Sequence, residues 1–135
     1  MANALYDKGR QGFLEGNISW SGDDIKVVLV DAADYTSDIA ADDFLDDIPA
    51  GARVATSANL SGKTVVDGVA DANDVTLTSV SGDEFELLAI YQDTGVESTS
   101  RLIALIDTAT NLPLTPNGGD VTIQWDNGAN RIFKL

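Results

Sequence analysis

The sequence predicts an all-β fold: an antiparallel β-sandwich of about eight short strands with a short N-terminal helix, a jelly roll being one form of it. Three observations lead there. Short apolar runs recur at intervals of roughly 8–15 residues, with Gly-, Asn- and Asp-rich turns between them. No long helical pattern separates them, which argues against parallel βαβ units. Only four of the 22 acids are glutamate (Glu15, Glu84, Glu86 and Glu97); the rest are aspartate, which favours turns and caps over helix interiors. The 135 residues are read as one domain, 1–135, with 1–16 as a helical segment either packed on the sandwich or used for docking.

Residues 3–15 read as an amphipathic helix, because Leu5, Tyr6, Gly9, Phe13 and Leu14 recur at three- and four-residue spacing. Asn3 is positioned to cap its start and Gly16 to end it. Gly9 and Gly12 each cost about 1 kcal/mol in a helix interior, so such a helix needs close packing on a sheet, which the missing side chains permit. Residues 18–20 form a short strand or a docking turn. The run 25–30 is β-branched and continuously apolar apart from Lys26, the pattern of a strand covered on both faces. Within 42–48, Phe44, Leu45 and Ile48 suit the inner side of one helical turn, which Pro49 ends. Further strands are expected over 53–56, 62–66, 75–80, 85–91, 102–106, 120–125 and 131–135. Those at 87–91 and 102–106 are apolar enough to be buried on both faces. Asn127-Gly128 is a hairpin signal that would pair the last two strands.

The formal net charge is −14. Nine aspartates and one lysine lie within 23–47, so this segment carries more than half of that charge. It is either a solvated acidic face or a patch that meets a basic partner. An acidic chain lacks the basic footprint of a nucleic-acid or membrane-surface binder, so neither partner is expected. No apolar run is long enough to span a membrane, and the polar segment holding Asp7, Lys8 and Arg10 is not of signal-peptide type. There are no cysteines and no histidines, which excludes thiolate and imidazole chemistry. Asp42, Asp43, Asp46 and Asp47 could offer oxygens to calcium, but the alternating ligands and central Gly of an EF-hand are missing. Asp71, Asn73 and Asp74 make only a fragment of such a loop. No metal site and no cofactor is assigned.

Paired carboxylates beside Trp20 or Trp125 would be needed for a carbohydrate-active reading. Both tryptophans instead fit inward positions. Asn117-Gly118-Gly119 lacks the Lys-Ser/Thr pair of a phosphate loop and precedes a strand. Lys26 and Lys63 occupy strand positions that face solvent. No catalytic residue is assigned, and a binding or assembly module is expected.

Several blocks carry a resemblance. They are Met1-Ala-Asn-Ala-Leu-Tyr-Asp-Lys-Gly-Arg10, Asp24-Ile-Lys-Val-Val-Leu-Val30, Arg53-Val-Ala-Thr-Ser-Ala-Asn-Leu-Ser-Gly-Lys-Thr64, Val69-Ala-Asp-Ala-Asn-Asp-Val75, Tyr91-Gln-Asp-Thr-Gly95, Ser100-Arg-Leu-Ile-Ala-Leu-Ile-Asp107 and Asn117-Gly-Gly-Asp-Val-Thr-Ile-Gln-Trp-Asp-Asn-Gly128. In this order, over nearly the whole chain, they resemble small structural proteins of tailed bacteriophages and prophages, including those of cyanobacteria. The resemblance implies a non-enzymatic virion protein. A capsid cement or decoration protein on the outer head surface fits best, assembled in the host cytoplasm, bound to the major capsid protein and self-associated as a dimer or trimer. A tail, baseplate or fibre-associated adaptor or receptor-binding module is the alternative, and a carbohydrate-binding or carbohydrate-active sandwich a remote one. For the cement reading, the expected contacts are Tyr6, Arg10 and Phe13 on the helix and Asp42, Asp43, Asp46 and Asp47 on the acidic segment.

Overall fold

The computed structural model describes residues 3–135. In chain order its elements are β1 (Ala4–Leu5), α1 (Asp7–Leu14), β2 (Ile25–Val30), β3 (Arg53–Thr56), β4 (Thr64–Val66), β5 (Val69–Asp71), β6 (Val75–Leu77), β7 (Leu87–Gln92), β8 (Leu102–Ile106), β9 (Val121–Ile123) and β10 (Phe133–Lys134). All pairings are antiparallel. They build a five-stranded sheet in the order β1-β8-β7-β2-β3, a three-stranded sheet β10-β5-β4 and a two-stranded sheet β6-β9. The fold is all-β and sandwich-like, as the sequence predicts. Its strands divide five, three and two, where a jelly roll shares eight strands between two sheets.

The large sheet is buried on both faces, and this explains its continuous apolar strands. β2 and β7 pair in register from Ile25↔Gln92 to Val30↔Leu87. Because side chains alternate along a strand, Val27, Leu29, Leu88 and Ile90 enter one core. There they meet Trp20, Leu77, Phe85, Ile123 and Trp125 beneath the two small sheets. Val28, Val30, Leu87, Ala89 and Tyr91 enter a second core with Tyr6, Tyr35, Leu45, Ile48 and Ala52. The cover on that second face is the acidic segment itself.

In β8 a bulge adjusts this alternation. Ile90 lies opposite Ala104 and Tyr91 opposite Leu102, so Ile103 is the extra residue. Ile103 and Ala104 therefore both join the first core, while Leu102 and Leu105 join the second.

The helix is shorter than the spacing predicts, since residues 3–6 leave it for the sheet edge. Ala4 and Leu5 pair with Leu105 and Ala104. Asn3 does not cap the helix: its Oδ1 accepts from the Asp107 and Thr108 N–H groups at 2.8 and 2.9 Å. An otherwise open edge of β8 outcompetes a first helical turn at residues 3–6, because two strand residues there satisfy backbone groups that the helix start would leave unpaired. The close approach expected of the glycines is present. A Cβ on Gly9 would stand 2.6 Å from the Leu102 carbonyl oxygen and 2.9 Å from the Ile103 Cα. Leu14, counted with the apolar face, is instead 82% exposed.

One further expectation is corrected, and of the two forms expected at residues 18–20 the strand is absent. The last two strands do not form a hairpin: β9 pairs with β6, and β10 with β5. After β9 the chain turns away because the Trp125 N–H donates to Asp74 Oδ1 and its indole N–H to the Asn73 carbonyl, each at 3.0 Å. Phe133 then packs edge-on against Trp20 with ring centres 5.3 Å apart, and this draws β10 to β5. Residues 18–20 form no strand; Ile18 and Trp20 are core residues of a turn. The sequence reading also missed β5. Its signal is Asp67-Gly68 between two valine-bearing runs, with φ of 52° and 81°, the two-residue turn that favours a hairpin.

Candidate functional site

The segment 31–52 is acidic outside and apolar inside. Tyr35, Leu45, Ile48 and Ala52 are buried against the large sheet. Each fully buried aliphatic or aromatic side chain contributes about 1.5–3 kcal/mol, enough to hold a segment that has no regular structure beyond two short 3₁₀ turns, Leu45–Asp47 and Ala50–Ala52. Asp34, Asp38, Asp46 and Asp47 are exposed, Asp42 and Asp43 half-buried, and Asp31 buried.

Main-chain bonds staple the segment along its length. The Asp31 N–H donates to the Ala52 carbonyl at 2.8 Å, closing the segment on itself. The Asp7 N–H, at the start of α1, donates to the Ile39 carbonyl at 3.0 Å. Leu45 donates to the Ser100 carbonyl and Leu102 to the Asp43 carbonyl, at 2.8 and 3.0 Å, so Phe44 and Arg101 bridge like strand residues. The Arg101 guanidinium lies 4.4 Å over the Phe44 ring, a cation–π contact.

Side chains complete the seat. The Tyr35 hydroxyl donates to Asp42 Oδ2 at 2.6 Å, and Asp42 Oδ2 also accepts from the Asp38 N–H at 2.9 Å. With the Tyr35 proton committed to Asp42, the Tyr6 hydroxyl is left to donate to Tyr35, 2.9 Å away. Burial pushes the Tyr6 phenol up, and the nearby Asp42 and Asp47 charges add to that. Tyr35 is also pushed up, by burial first and then by its bond to Asp42. Arg53, which the sequence did not single out, clamps the first 3₁₀ turn from below. Its Nε donates to the Ile48 carbonyl at 2.9 Å and its Nη2 to the Leu45 carbonyl at 3.3 Å. Its Nη1 meets Glu97 Oε1 at 2.6 Å, which holds the Glu97 carboxyl below the usual carboxylate range.

The expected contact residues therefore divide. Tyr6 is wholly buried and cannot offer its ring to a partner. It belongs to the seat because strand pairing at Ala4 and Leu5 turns it under the acidic segment. Arg10 is exposed. Phe13 is half-buried, with its ring 5.9 Å from that of Phe133. Asp42 faces inward to Tyr35. Asp47 Oδ2 accepts from the Asp43 N–H at 2.8 Å, acting as a cap on the 3₁₀ turn. Asp43 and Asp47 interact. Partial burial and the Asp47 carboxylate push Asp43 up. Partial burial works against ionising Asp47, but the Asp43 and Phe44 N–H groups and the Asp43 carboxyl outweigh it and hold Asp47 down. Of the four expected aspartates, Asp46 and Asp47 are exposed, and Asp46 takes no part in these bonds.

Two groups of carboxylates bring one oxygen each within 4.8 Å of one another: Asp43, Asp46 and Asp47, and also Asp31, Asp34 and Asp83. Their all-oxygen donor sets are of the kind a hard cation takes. The second group joins residues far apart in sequence, so no local motif announces it. Lys26 is paired with Asp93 at 2.8 Å, and its bond together with the Gly95 N–H holds the Asp93 carboxyl down. Lys63 is half-buried and donates to the Asp23 carbonyl.

A separate open cleft of about 850 Å³ lies between the 107–117 loop and β9, with Ile106, Leu112, Thr122, Trp125 and Ile132 among its walls. Trp125 is 8% exposed as a residue with its indole N–H tied to the Asn73 carbonyl, so it is set as a wall and not as a free stacking platform. No helix among the described residues is long and apolar enough to cross a membrane. A comparison with protein-family models finds no match, and a comparison with curated proteins finds none either.

Proposed function

We propose that this chain is a non-enzymatic structural protein of a tailed-phage virion, a capsid cement or decoration protein that binds the outer head surface through a fixed acidic ridge. The observation that carries the reading is the build of the 31–52 segment. Its apolar side chains cover one face of the large sheet while Asp34 and Asp46 are presented outward. A ridge seated in this way loses little entropy on docking, and preorganisation of that kind strengthens an interface of modest size. Its charge complements a basic partner patch and repels acidic ones. The phage resemblance in the sequence supplies the partner, the major capsid protein.

Quantitative densitometry of purified particles tests the role. A copy number comparable to that of the capsid protein is expected; a few copies per particle would move the protein to the tail or baseplate. The ridge is tested separately by adding purified protein to undecorated heads. Asp34→Lys/Asp46→Lys, at exposed positions outside the seat, is expected to weaken binding most at low salt, where exposed charges are least screened. Equal binding at every ionic strength would remove the ridge from the interface. Deleting residues 2–15 is not a clean test, because it also removes β1 and Tyr6 from the fold.

A further inference from the structure

The hairpin of β4 and β5 leaves one backbone edge bare. β4 is the terminal strand of the order β10-β5-β4, and all three of its residues are exposed. Val65 and Val66 are 54% and 65% exposed. The two-residue turn Asp67-Gly68 makes Val66 and Val69 the hydrogen-bonded pair that closes the hairpin, and antiparallel bonds alternate. Thr64 thus also bonds across to Asp71, its partner in register, and the Val65 N–H and C=O point outward. No described backbone group outside the hairpin takes them. Bare edges of this kind are usually blunted by a charge, a proline or a bulge within the strand; Thr64-Val65-Val66 has none of these.

We propose that β4 is a self-pairing strand, through which two copies of this chain join edge to edge, antiparallel, about a twofold axis at Val65. The axis makes the outward groups of Val65 reciprocal: each N–H meets the other copy's Val65 carbonyl. The same register brings Lys63, just before β4, to the end of the pairing where the partner chain turns at Asp67, and brings Asp67 to the partner's Lys63. These are opposite charges at both ends of a short pairing. A slip of two residues in either direction sets one member of each charged pair against valine, so the register is specified by charge as well as by the axis. On the other face of the strand, Thr64 lies across from the partner's Val66, a β-branched pair suited to a pleated surface. The Lys63 ammonium already donates to the Asp23 carbonyl, and it has further donors to spend. The product is a continuous six-stranded sheet with an isologous interface.

Three residues a side bury far less than the roughly 1,200 Å² at which stable interfaces begin, so the pair is weak in solution and strengthens where copies are held close together. The inference gives a place to the self-association expected from the sequence, and it stands whether or not the chain is a virion protein.

The chain has no cysteine, so Val65→Cys introduces a single thiol. Cα atoms of a hydrogen-bonded antiparallel pair lie about 5.5 Å apart, within disulfide reach. Under mild oxidation at about 0.15 M salt, where overall repulsion is screened, Val65→Cys is expected to form disulfide dimer at least about tenfold faster than Val96→Cys. Val96 is also 54% exposed but lies outside any strand. Equal rates overturn the inference. Sedimentation is expected to show wild-type dimer on raising the concentration towards about 1 mM, and Val65→Lys, with an unchanged circular dichroism spectrum, to abolish it. Association unaffected by Val65→Lys, or a wild type that stays monomeric throughout, overturns it as well.

Discussion

Replacing Tyr35 by Phe removes one oxygen from the centre of the chain Tyr6–Tyr35–Asp42. Two groups lose a partner. The Tyr6 hydroxyl sits on a residue that is wholly buried, so it is left without an acceptor, at about 1–3 kcal/mol. Asp42 loses a charge-assisted bond of 2.6 Å, but it is half-buried, keeps the Asp38 N–H and regains water, so about 1 kcal/mol is the appropriate share. The expected total is about 2–4 kcal/mol. Tyr6→Phe is milder, because Tyr35 keeps its bond to Asp42 and only a neutral hydrogen bond goes, at about 1 kcal/mol. The double variant has no orphaned hydroxyl, so it costs less than the sum of the singles, with a coupling of about 1 kcal/mol. Urea unfolding at pH 7 reads all three from the midpoints, provided the slope is unchanged. A Tyr35→Phe cost below about 0.5 kcal/mol, or strict additivity of the two changes, would refute the relay.

Three further outcomes follow from the same geometry. Gly9→Ala gains about 1 kcal/mol of helix propensity but sets a Cβ 2.6 Å from the backbone oxygen of Leu102; a net loss of about 1–3 kcal/mol is expected, and a raised melting temperature would contradict the close packing. At neutral pH, Asp47→Ala removes a cap and is expected to cost about 1 kcal/mol, whereas Asp43→Asn relieves a carboxyl pushed up by partial burial and then by Asp47 and is expected to be neutral or slightly stabilising in the same urea assay. All three tyrosines of the chain are pushed up, Tyr91 to about 12 by burial and then by Asp93. Since the unfolded phenols ionise near pH 10 while the folded ones stay protonated, stability is full below pH 10 and falls above it, with a limiting slope of about 4 kcal/mol per pH unit for three protons; tyrosinate absorbance is expected to appear together with unfolding, and a tyrosine titrating near pH 10 in the folded chain would refute it.

What could be read from the sequence is what local chemistry alone decides. The apolar run Ile25–Val30 and the run at 102–106 predict strands buried on both faces, and the two cores on either side of the large sheet are the result. Gly9 and Gly12 predict close packing, and Gly9 lies against β8. What could not be read depends on partners distant in the chain. Residues 4–5 have helical spacing, and only the open edge of β8 makes them a strand. Asn127-Gly128 is a sound hairpin signal, overridden by the bonds of Trp125 to Asn73 and Asp74 and by the packing of Phe133 on Trp20. The acidic segment was legible as charge. Its underside was legible at Leu45 and Ile48; Phe44, expected inward with them, is half-buried beneath Arg101 and joins neither core, and Tyr35 sits among polar residues without periodicity. Arg53 gave no signal, since its acceptors are two backbone carbonyls and the carboxylate of Glu97, 44 residues further on.

The seat of the acidic segment changes how its charge is to be tested. Nine aspartates within 23–47 invite wholesale neutralisation, yet they do different work. Asp42 holds Tyr35, Asp38 Oδ1 accepts from the Ala40 and Ala41 N–H groups, and Asp47 caps the turn at Leu45. Changing these alters the shape of the ridge along with its charge, and a loss of partner binding would then report on folding as much as on contact. Asp34 and Asp46 are exposed and take no part in that scaffold. A surface role therefore predicts that reversing these two weakens salt-dependent binding with no loss of stability, since each lysine would stand beside two other carboxylates, while Asp42→Asn lowers stability first. If both pairs of measurements moved together, the ridge and its seat would be one cooperative unit, and the separation drawn between them here would be wrong.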